Sequence, residues 1–320
     1  MSELSLGCAQ LGNLYREVTD ADAQATVDAA WELGVRYFDT APHYGLGLSE
    51  RRVGAALCSR PRNDYVLSTK VGRLLEPRSE IEGEDDEGYA VAATHRRVFD
   101  FTRDGIRRSL AESLERLGLD RVDVVYLHDP DQHVDDVLRT GFPALAELRA
   151  EGVVEAIGAG MNDATKLAQV VGETDMDVVM LAGRYTLLEQ GSLDDLLPLC
   201  EERSVSVVAA GVFNSGLLAR PDPGLNAKYN YDVAPPRLVE RARAIAEICT
   251  SHGTTLPAAA IAFPLAHPAV VSVCVGSRSA RQVERNVALL AEPISADLWS
   301  ELKATGLVRE DAPVPTARMV

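Results

Sequence analysis

Lysine is scarce in this chain. Of 32 basic residues only four are lysines (Lys70, Lys166, Lys228 and Lys303) and the other 28 are arginines. A lysine at the end of an apolar run therefore invites a chemical reason. Basic charge as a whole is short: 48 acidic residues leave a net charge of −16. That argues against a nucleic-acid partner and requires any anionic ligand to be held by local positive groups. The five cysteines (Cys8, Cys58, Cys200, Cys249 and Cys274) are odd in number, scattered and without a Cys-x-x-Cys pair. They speak against a disulfide or zinc framework and read as small buried hydrophobes in a reducing cytoplasm. No apolar run approaches membrane-spanning length, and the opening Met-Ser-Glu-Leu-Ser lacks the basic region and apolar core of a signal. Neither a membrane partner nor export is expected.

What is present is the composition of a soluble enzyme, 46% hydrophobic and 25% charged. Short apolar runs recur at Leu4–Cys8, Val35–Phe38, Tyr65–Lys70, Val122–His128, Val153–Gly158, Asp177–Ala182, Val205–Ala210 and Val270–Val275. Stretches of helical spacing follow them, and the first opens on Thr19 as an N-cap with Asp20 and Asp22 in its first turn. Eight alternating units without a long linker predict a (β/α)₈ barrel in one domain spanning 1–320. A doubly wound sheet usually announces a phosphate loop at its first turn, whereas Gly45-Leu-Gly47 lacks the third glycine and follows the second strand. Residues 73–99 carry Glu80, Glu82, Glu84, Asp85, Asp86 and Glu87 without an apolar period and read as a solvated acidic insertion, a candidate lid. A tail runs from about 292 to 320.

Three strand ends carry charge: Asp39 after the second, Lys70 on the third and His128 on the fourth, with Tyr44 in the loop beside Asp39. Singly, each has an ordinary reading as a loop cap, a packed ring or a satisfied core histidine. In a barrel the three ends are neighbours on the catalytic face. A tyrosine phenol, with a pKa near 10, is ionised to only about one part in a thousand at neutral pH. A lysine ammonium beside it stabilises the phenolate, and an aspartate holds that ammonium. With a histidine to bind or share a proton, this is an acid–base set for carbonyl/alcohol interconversion, with no metal required.

Asp-x₄-Tyr, with Lys at the next strand end and His at the one after, resembles the aldo-keto reductase superfamily over nearly the whole chain. The segments DTAPHYGLGLSERRVG (39–54), STKVGRLL (68–75), LAGRYTLLEQ (181–190), FNSGLLA (213–219) and FPLAHPAV (263–270) are similar more narrowly to its aldose 1-dehydrogenase and pyridoxal 4-dehydrogenase branch. The resemblance implies a catalytic tetrad of Asp39, Tyr44, Lys70 and His128. It implies oxidation of an aldose at C1 to a lactone (an L-fucose, D-arabinose or L-galactose type of sugar), with pyridoxal or a general aldehyde or ketone as alternative substrate. A nicotinamide cofactor is implied across strands five to eight. Gly276, Ser277, Arg278, Gln282 and Asn286 match the segment for its adenosine end, and Ser215 and Gly216 lie in the loop after strand seven. Gln282 stands where the NADP-preferring pattern has arginine, which favours NAD, while Arg278 and Arg281 leave NADP open. The chain departs from the family at Gly160-Met161, Ala182 and Ala210, so Asn162 and Phe213 are expected to take over the carboxamide and ring-stacking tasks. His43 and Arg184 lie where a small sugar or aldehyde could meet them. Oligomeric state is not legible.

Other chemistries fit less well. His128-Asp129-Pro-Asp131-Gln-His133 supplies ligand types for a metallohydrolase, but no His-x-His follows strand one. Tyr65 and Lys70 are five apart on a strand, which fails the one-face helical spacing of a short-chain reductase pair. A non-catalytic cofactor-binding subunit would not need an intact tetrad.

Overall fold

The computed structural model describes residues 1–316 apart from 82, 225, 226 and 231. Glu82 of the acidic stretch and 317–320 of the tail lie outside the described residues. Eight parallel strands close into a barrel: β1 (Leu4–Gly7), β2 (Tyr37–Asp39), β3 (Val66–Val71), β4 (Val124–His128), β5 (Ala156–Met161), β6 (Val178–Ala182), β7 (Ser206–Ala210) and β8 (Val270–Gly276). Closure comes from β1, which pairs with β2 on one edge and with β8 on the other, Leu4 opposite Val273 and Gly7 opposite Gly276. The (β/α)₈ barrel is therefore the fold, as the alternating pattern predicts. Among the described residues no helix is long and apolar enough to cross a membrane.

Side chains alternate across each strand, so every second residue points into the barrel. Tyr37, Val124, Tyr126, Val178, Met180, Val208 and Cys274 fill the interior as one cluster. The other faces meet a ring of helices in a larger core that includes Phe38, Leu67, Val125, Leu127, Ile157 and Leu181. The helix α1 (Asp20–Glu32) begins where expected, with the Thr19 hydroxyl accepting the Asp22 N–H at 3.0 Å. Two further helices, α2 (Leu48–Leu57) and α3 (Arg103–Leu117), flank the part of the barrel that matters below.

The structure departs from the sequence reading in three places. The fifth strand runs Ala156–Met161 rather than 153–158, and Gly160 pairs with His128. Val153 and Val154 lie in the approach that follows the left-handed Gly152, so their apolar character marks packing of Val154, not the ladder. The sequence over Pro257–His267 predicts a single helix, but the helix Leu256–Ala262 ends early and Pro264 opens a separate 3₁₀ turn. The acidic stretch is not a structureless loop. Arg73–Pro77 pairs antiparallel with His95–Phe99, and the chain between them folds back onto the loop after β1, where Tyr15 N–H donates to Gly88 at 2.8 Å and Ala90 N–H to Asn13 at 3.0 Å. Two of its charges are met by arginines: Arg97 pairs with Asp85, the two side chains 5% and 2% exposed, and Arg73 reaches Glu87 at 2.9 Å. Glu80, Glu84, Asp86 and Glu87 remain exposed.

Candidate active site

Asp39, Lys70 and His128 occupy inward positions at the C-terminal ends of β2, β3 and β4, all three buried. Alternation from Tyr37, Ser68 and Tyr126 puts them there, one step higher toward the barrel mouth. Tyr44 arrives from the loop after β2. The Ser49 hydroxyl at the start of α2 donates to the Cys8 carbonyl at 2.7 Å and lies 2.9 Å from Thr40 Oγ1, tying the loop to β1. Gly45 has φ +63°, and a Cβ there would stand 2.2 Å from the Gly12 carbonyl oxygen. Only glycine fits that approach, and it fixes the backbone next to Tyr44. Below the loop, Glu50 is fully buried at the head of α2, where it accepts from Thr69 at 2.7 Å and pairs with Arg116 of α3.

The four side chains converge. Lys70 Nζ donates to Asp39 Oδ2 at 2.6 Å, to the Thr40 carbonyl at 3.0 Å and to the Tyr44 hydroxyl oxygen at 3.0 Å. The Tyr44 ring meets His128 edge-on, with centroids 5.8 Å apart. His128 Nε2 lies 3.5 Å from Asp129 Oδ2, and its Nδ1 is buried without a hydrogen-bond partner among the described residues. Burial, with Lys70 and His43 nearby, holds the His128 imidazole well below the usual histidine range. His43 is pushed down to about 2 by burial and by Arg73, Arg97 and Lys70. Both rings are therefore neutral at ordinary pH. Burial raises the Asp129 carboxyl, and Arg73 at 3.2 Å opposes that rise.

Of the other expected residues, His43 joins this group, its ring 5.9 Å from Tyr44 and 5.5 Å from His128. Arg184 does not. Its guanidinium donates to the Asn162 carbonyl at 2.8 Å, to Gly183 and to Asn230. It lines, with Asp131, Asn162, Asp163, Glu189 and Asp195, a groove whose walls include none of the tetrad. Phe213 packs on the core at the end of β7, while Ser215 and Gly216 are exposed. At the end of β8, Asn286 donates to Ser277 Oγ at 3.1 Å. Gln282 accepts from Arg278 N–H at 2.9 Å, reaching back over the start of the helix Ala280–Ala291 as a capping side chain does. His133 stacks against Phe99 and Phe101, not toward His128.

Several residues around the site escape sequence reading. Tyr89, from the returning acidic stretch, stacks on Tyr44 at 6.3 Å and meets His43 edge-on at 5.2 Å. Arg97 donates to the His43 carbonyl at 3.1 Å. Gln10, on the turn after β1, packs so close that a Cβ on Gly276 would lie 2.4 Å from its Nε2, and its Oε1 is buried without a partner. The one available signal was Tyr89 itself, an isolated aromatic directly after an acidic run.

Comparison with known proteins gives a consistent result. Residues 3–306 match the model of the family described as Aldo/keto reductase family. The chain is 50% identical over 309 residues to a D-threo-aldose 1-dehydrogenase of Pseudomonas sp, covering 95% of this chain and 94% of that one. It is 39% identical over 326 residues to a pyridoxal 4-dehydrogenase of Microbacterium luteolum, covering 96% and 95%. Among solved structures, the holo form of aldo-keto reductase AKR11C1 from Bacillus halodurans superposes with a TM-score of 0.73 at 28% identity, over 98% of this chain and 93% of that one.

Proposed function

This chain belongs to the aldo/keto reductase family and is an oxidoreductase; we propose that it oxidises an aldose at C1 to the lactone, with NAD as acceptor and Tyr44 as the general base. The observation that carries this reading is the Lys70 ammonium, shared between Asp39 at 2.6 Å and the Tyr44 oxygen at 3.0 Å. An ammonium has three N–H donors, and all three are engaged. The phenol oxygen accepts one of them, so the Tyr44 proton points away from Nζ. The positive charge stabilises the phenolate, which lets Tyr44 take the proton of a sugar hydroxyl, or return one to a carbonyl in the reverse direction. The neutral His128 offers the substrate oxygen a hydrogen bond without carrying the proton. A nicotinamide dinucleotide, when bound, supplies the hydride acceptor.

The residues at the other end of the mouth fit such a cofactor. Arg278 is held below the ordinary arginine range by partial burial and by Arg16. Arg278 at the start of the helix Ala280–Ala291, with Arg16 of the β1 loop within electrostatic reach, suits phosphates. Gln10 keeps a buried oxygen unpartnered beside Gly276, and such an atom calls for a ligand partner. Gly276, Ser277, Arg278 and Asn286 would hold the adenosine end, with Gln282 capping the helix, and Phe213, Ser215, Gly216 and Asn162 would lie along the nicotinamide end. Gln282 in place of an arginine favours NAD over NADP. His43 is the candidate sugar contact; Arg184 is the candidate contact of the neighbouring groove. The test is reduction of NAD and of NADP across L-fucose, D-arabinose, L-galactose and pyridoxal. Turnover of a sugar with NAD supports the reading, and faster turnover of pyridoxal or no oxidation of any sugar overturns it.

A further inference from the structure

Beneath the tetrad the barrel interior is not wholly apolar. Ser68 Oγ donates to Asp39 Oδ1 at 2.7 Å. The Tyr37 hydroxyl lies 3.1 Å from Ser68 Oγ and 3.0 Å from the Tyr126 hydroxyl. All four residues are buried, the two tyrosines completely. Tyr37 and Asp39 are successive inward positions of β2, Ser68 and Lys70 of β3, and Tyr126 sits opposite Lys70 in the β3–β4 register. The hydroxyls therefore climb from the barrel centre to the carboxylate in three steps.

The direction of every bond in this row follows from one end. Asp39, paired with the buried Lys70, is a carboxylate and only accepts. Ser68 has a single hydrogen and gives it to Asp39. Tyr37 must then donate to Ser68, and Tyr126 to Tyr37. Each dipole points its positive end at Asp39, and bonds aligned in one sense polarise one another. Phenylalanine would fill both tyrosine positions without burying a hydroxyl, a group that costs free energy wherever it is not hydrogen-bonded. Packing alone therefore does not call for this row.

We propose that Ser68, Tyr37 and Tyr126 are positioning residues: an oriented hydroxyl ladder that partly neutralises Asp39 and so sets, through Lys70, how readily Tyr44 gives up its proton. The ladder touches neither substrate nor cofactor. It deepens the reading of Tyr44 as the proton-transfer group and rests on it only for the consequence in turnover. Removing a rung leaves Asp39 more negative toward Lys70 and Tyr44, which raises the Tyr44 pKa. The other groups facing Tyr44 are His43, His128 and Tyr89, with Arg73, Arg97 and Glu87 behind them. Those facing Asp39 besides Lys70 are the thiols of Cys8 and Cys274. Of these, the Cys274 thiol also faces Tyr37 and Tyr126 in the barrel interior.

The experiment titrates Tyr44 directly, by ¹³Cζ tyrosine resonances of the protein without substrate, with Tyr44→Phe identifying the signal. Ser68→Ala should raise the Tyr44 pKa by on the order of one unit, Tyr37→Phe by less and Tyr126→Phe by least, while Ser68→Thr, which keeps the hydroxyl, restores the original value. The rising limb of the pH–rate profile for sugar oxidation, where Tyr44 must lose its proton to act as base, should move upward by the same graded amounts. Tyr37→Phe and Tyr126→Phe keep the core volume, so they decide the matter if Ser68→Ala does not fold. An unmoved Tyr44 titration in a folded Tyr37→Phe or Tyr126→Phe protein overturns the ladder. Because this readout needs no turnover, failure of the wild-type protein to oxidise any sugar would count against the proposed function and leave the ladder to be judged on the titration.

Discussion

Lys70 gives its third N–H to the Tyr44 oxygen at 3.0 Å while its shortest bond, 2.6 Å, goes to Asp39. Asp39 of β2 and Tyr44 of the loop that follows it thus divide one ammonium, and what each receives determines what happens when either is removed.

For Tyr44→Phe the phenol is lost and the ring stays. Proton transfer by a placed side chain is worth about 10²–10⁴-fold, so kcat for sugar oxidation should fall by that amount. The dissociation constant for NAD, read by fluorescence titration, should hardly change. In Lys70→Met the phenol remains but its cation is gone, and the rising limb of the pH–rate profile for oxidation should move to higher pH, because the phenolate is no longer stabilised. A Tyr44→Phe enzyme with full turnover would contradict the role given to the phenol.

Asp39 and Lys70 are each 3% exposed at the side chain. Asp39→Ala leaves an unpaired buried ammonium, and breaking such a pair costs about 3–5 kcal/mol. Chemical denaturation should show that loss. The double variant Asp39→Ala/Lys70→Met should recover part of it, since no charge is then stranded. A double variant no more stable than the single one would show that the loss comes from packing.

Two neutral histidines make the native state sensitive to acid. His43 is lowered to about 2 and His128 well below the ordinary value, both chiefly by burial. Unfolded histidine, with a pKa near 6.5, takes up a proton that the native rings refuse. The stabilising contribution is therefore complete above about pH 6.5 and is lost as pH falls below it, at up to about 1.4 kcal/mol per pH unit for each ring. Tm measured from pH 8 to pH 4.5 should fall less steeply in His43→Gln than in the wild type. The same depression means that the pH–rate profile should carry no histidine limb near 6.5.

Arg97 holds the acidic stretch in place by pairing with the buried Asp85 and donating to the His43 carbonyl. Arg97→Leu strands Asp85, at a cost again of about 3–5 kcal/mol, paid locally. Amide exchange over residues 84–92 should accelerate by at least tenfold. KM for the sugar should rise as Tyr89 and His43 lose their backing, with kcat less affected. Unchanged exchange in that segment would remove the latch role from Arg97.

Much of this was legible in the chain. Strand ends that carry Asp39, Lys70 and His128 stand out because an apolar run that stops on a charge is conspicuous, and alternation then places the three on one face. The barrel followed from eight repeats of the same pattern. The hairpin in the acidic stretch escaped the sequence because it is held non-locally: Asp85 meets Arg97 and Glu87 meets Arg73, and its strands have no clean period. Strand five was misplaced because Gly158 and Gly160 sit inside it, and glycine inside a strand reads as a turn. Glu50 stands in the first turn of α2, where an acid is unremarkable in a sequence, and only the approach of Thr69 and Arg116 shows that it is buried. The ladder under Asp39 was invisible because Tyr37, Ser68 and Tyr126 come from three separate strands.

The pairing of Leu4 with Val273 also sets a timetable. The first strand leaves the ribosome early, but its second partner is nearly the whole chain away. At about 5–20 residues per second, β1 waits on the order of ten seconds to a minute before β8 exists. Until then the stretch that carries Asp39, Lys70 and His128 has been made, while the barrel that encloses it has an open edge on both sides. Asp39, Lys70 and His128 are thus made in the first half of the barrel and wait for its last strand to be enclosed. Nascent chains stalled short of residue 270 should accordingly be the form most in need of a chaperone.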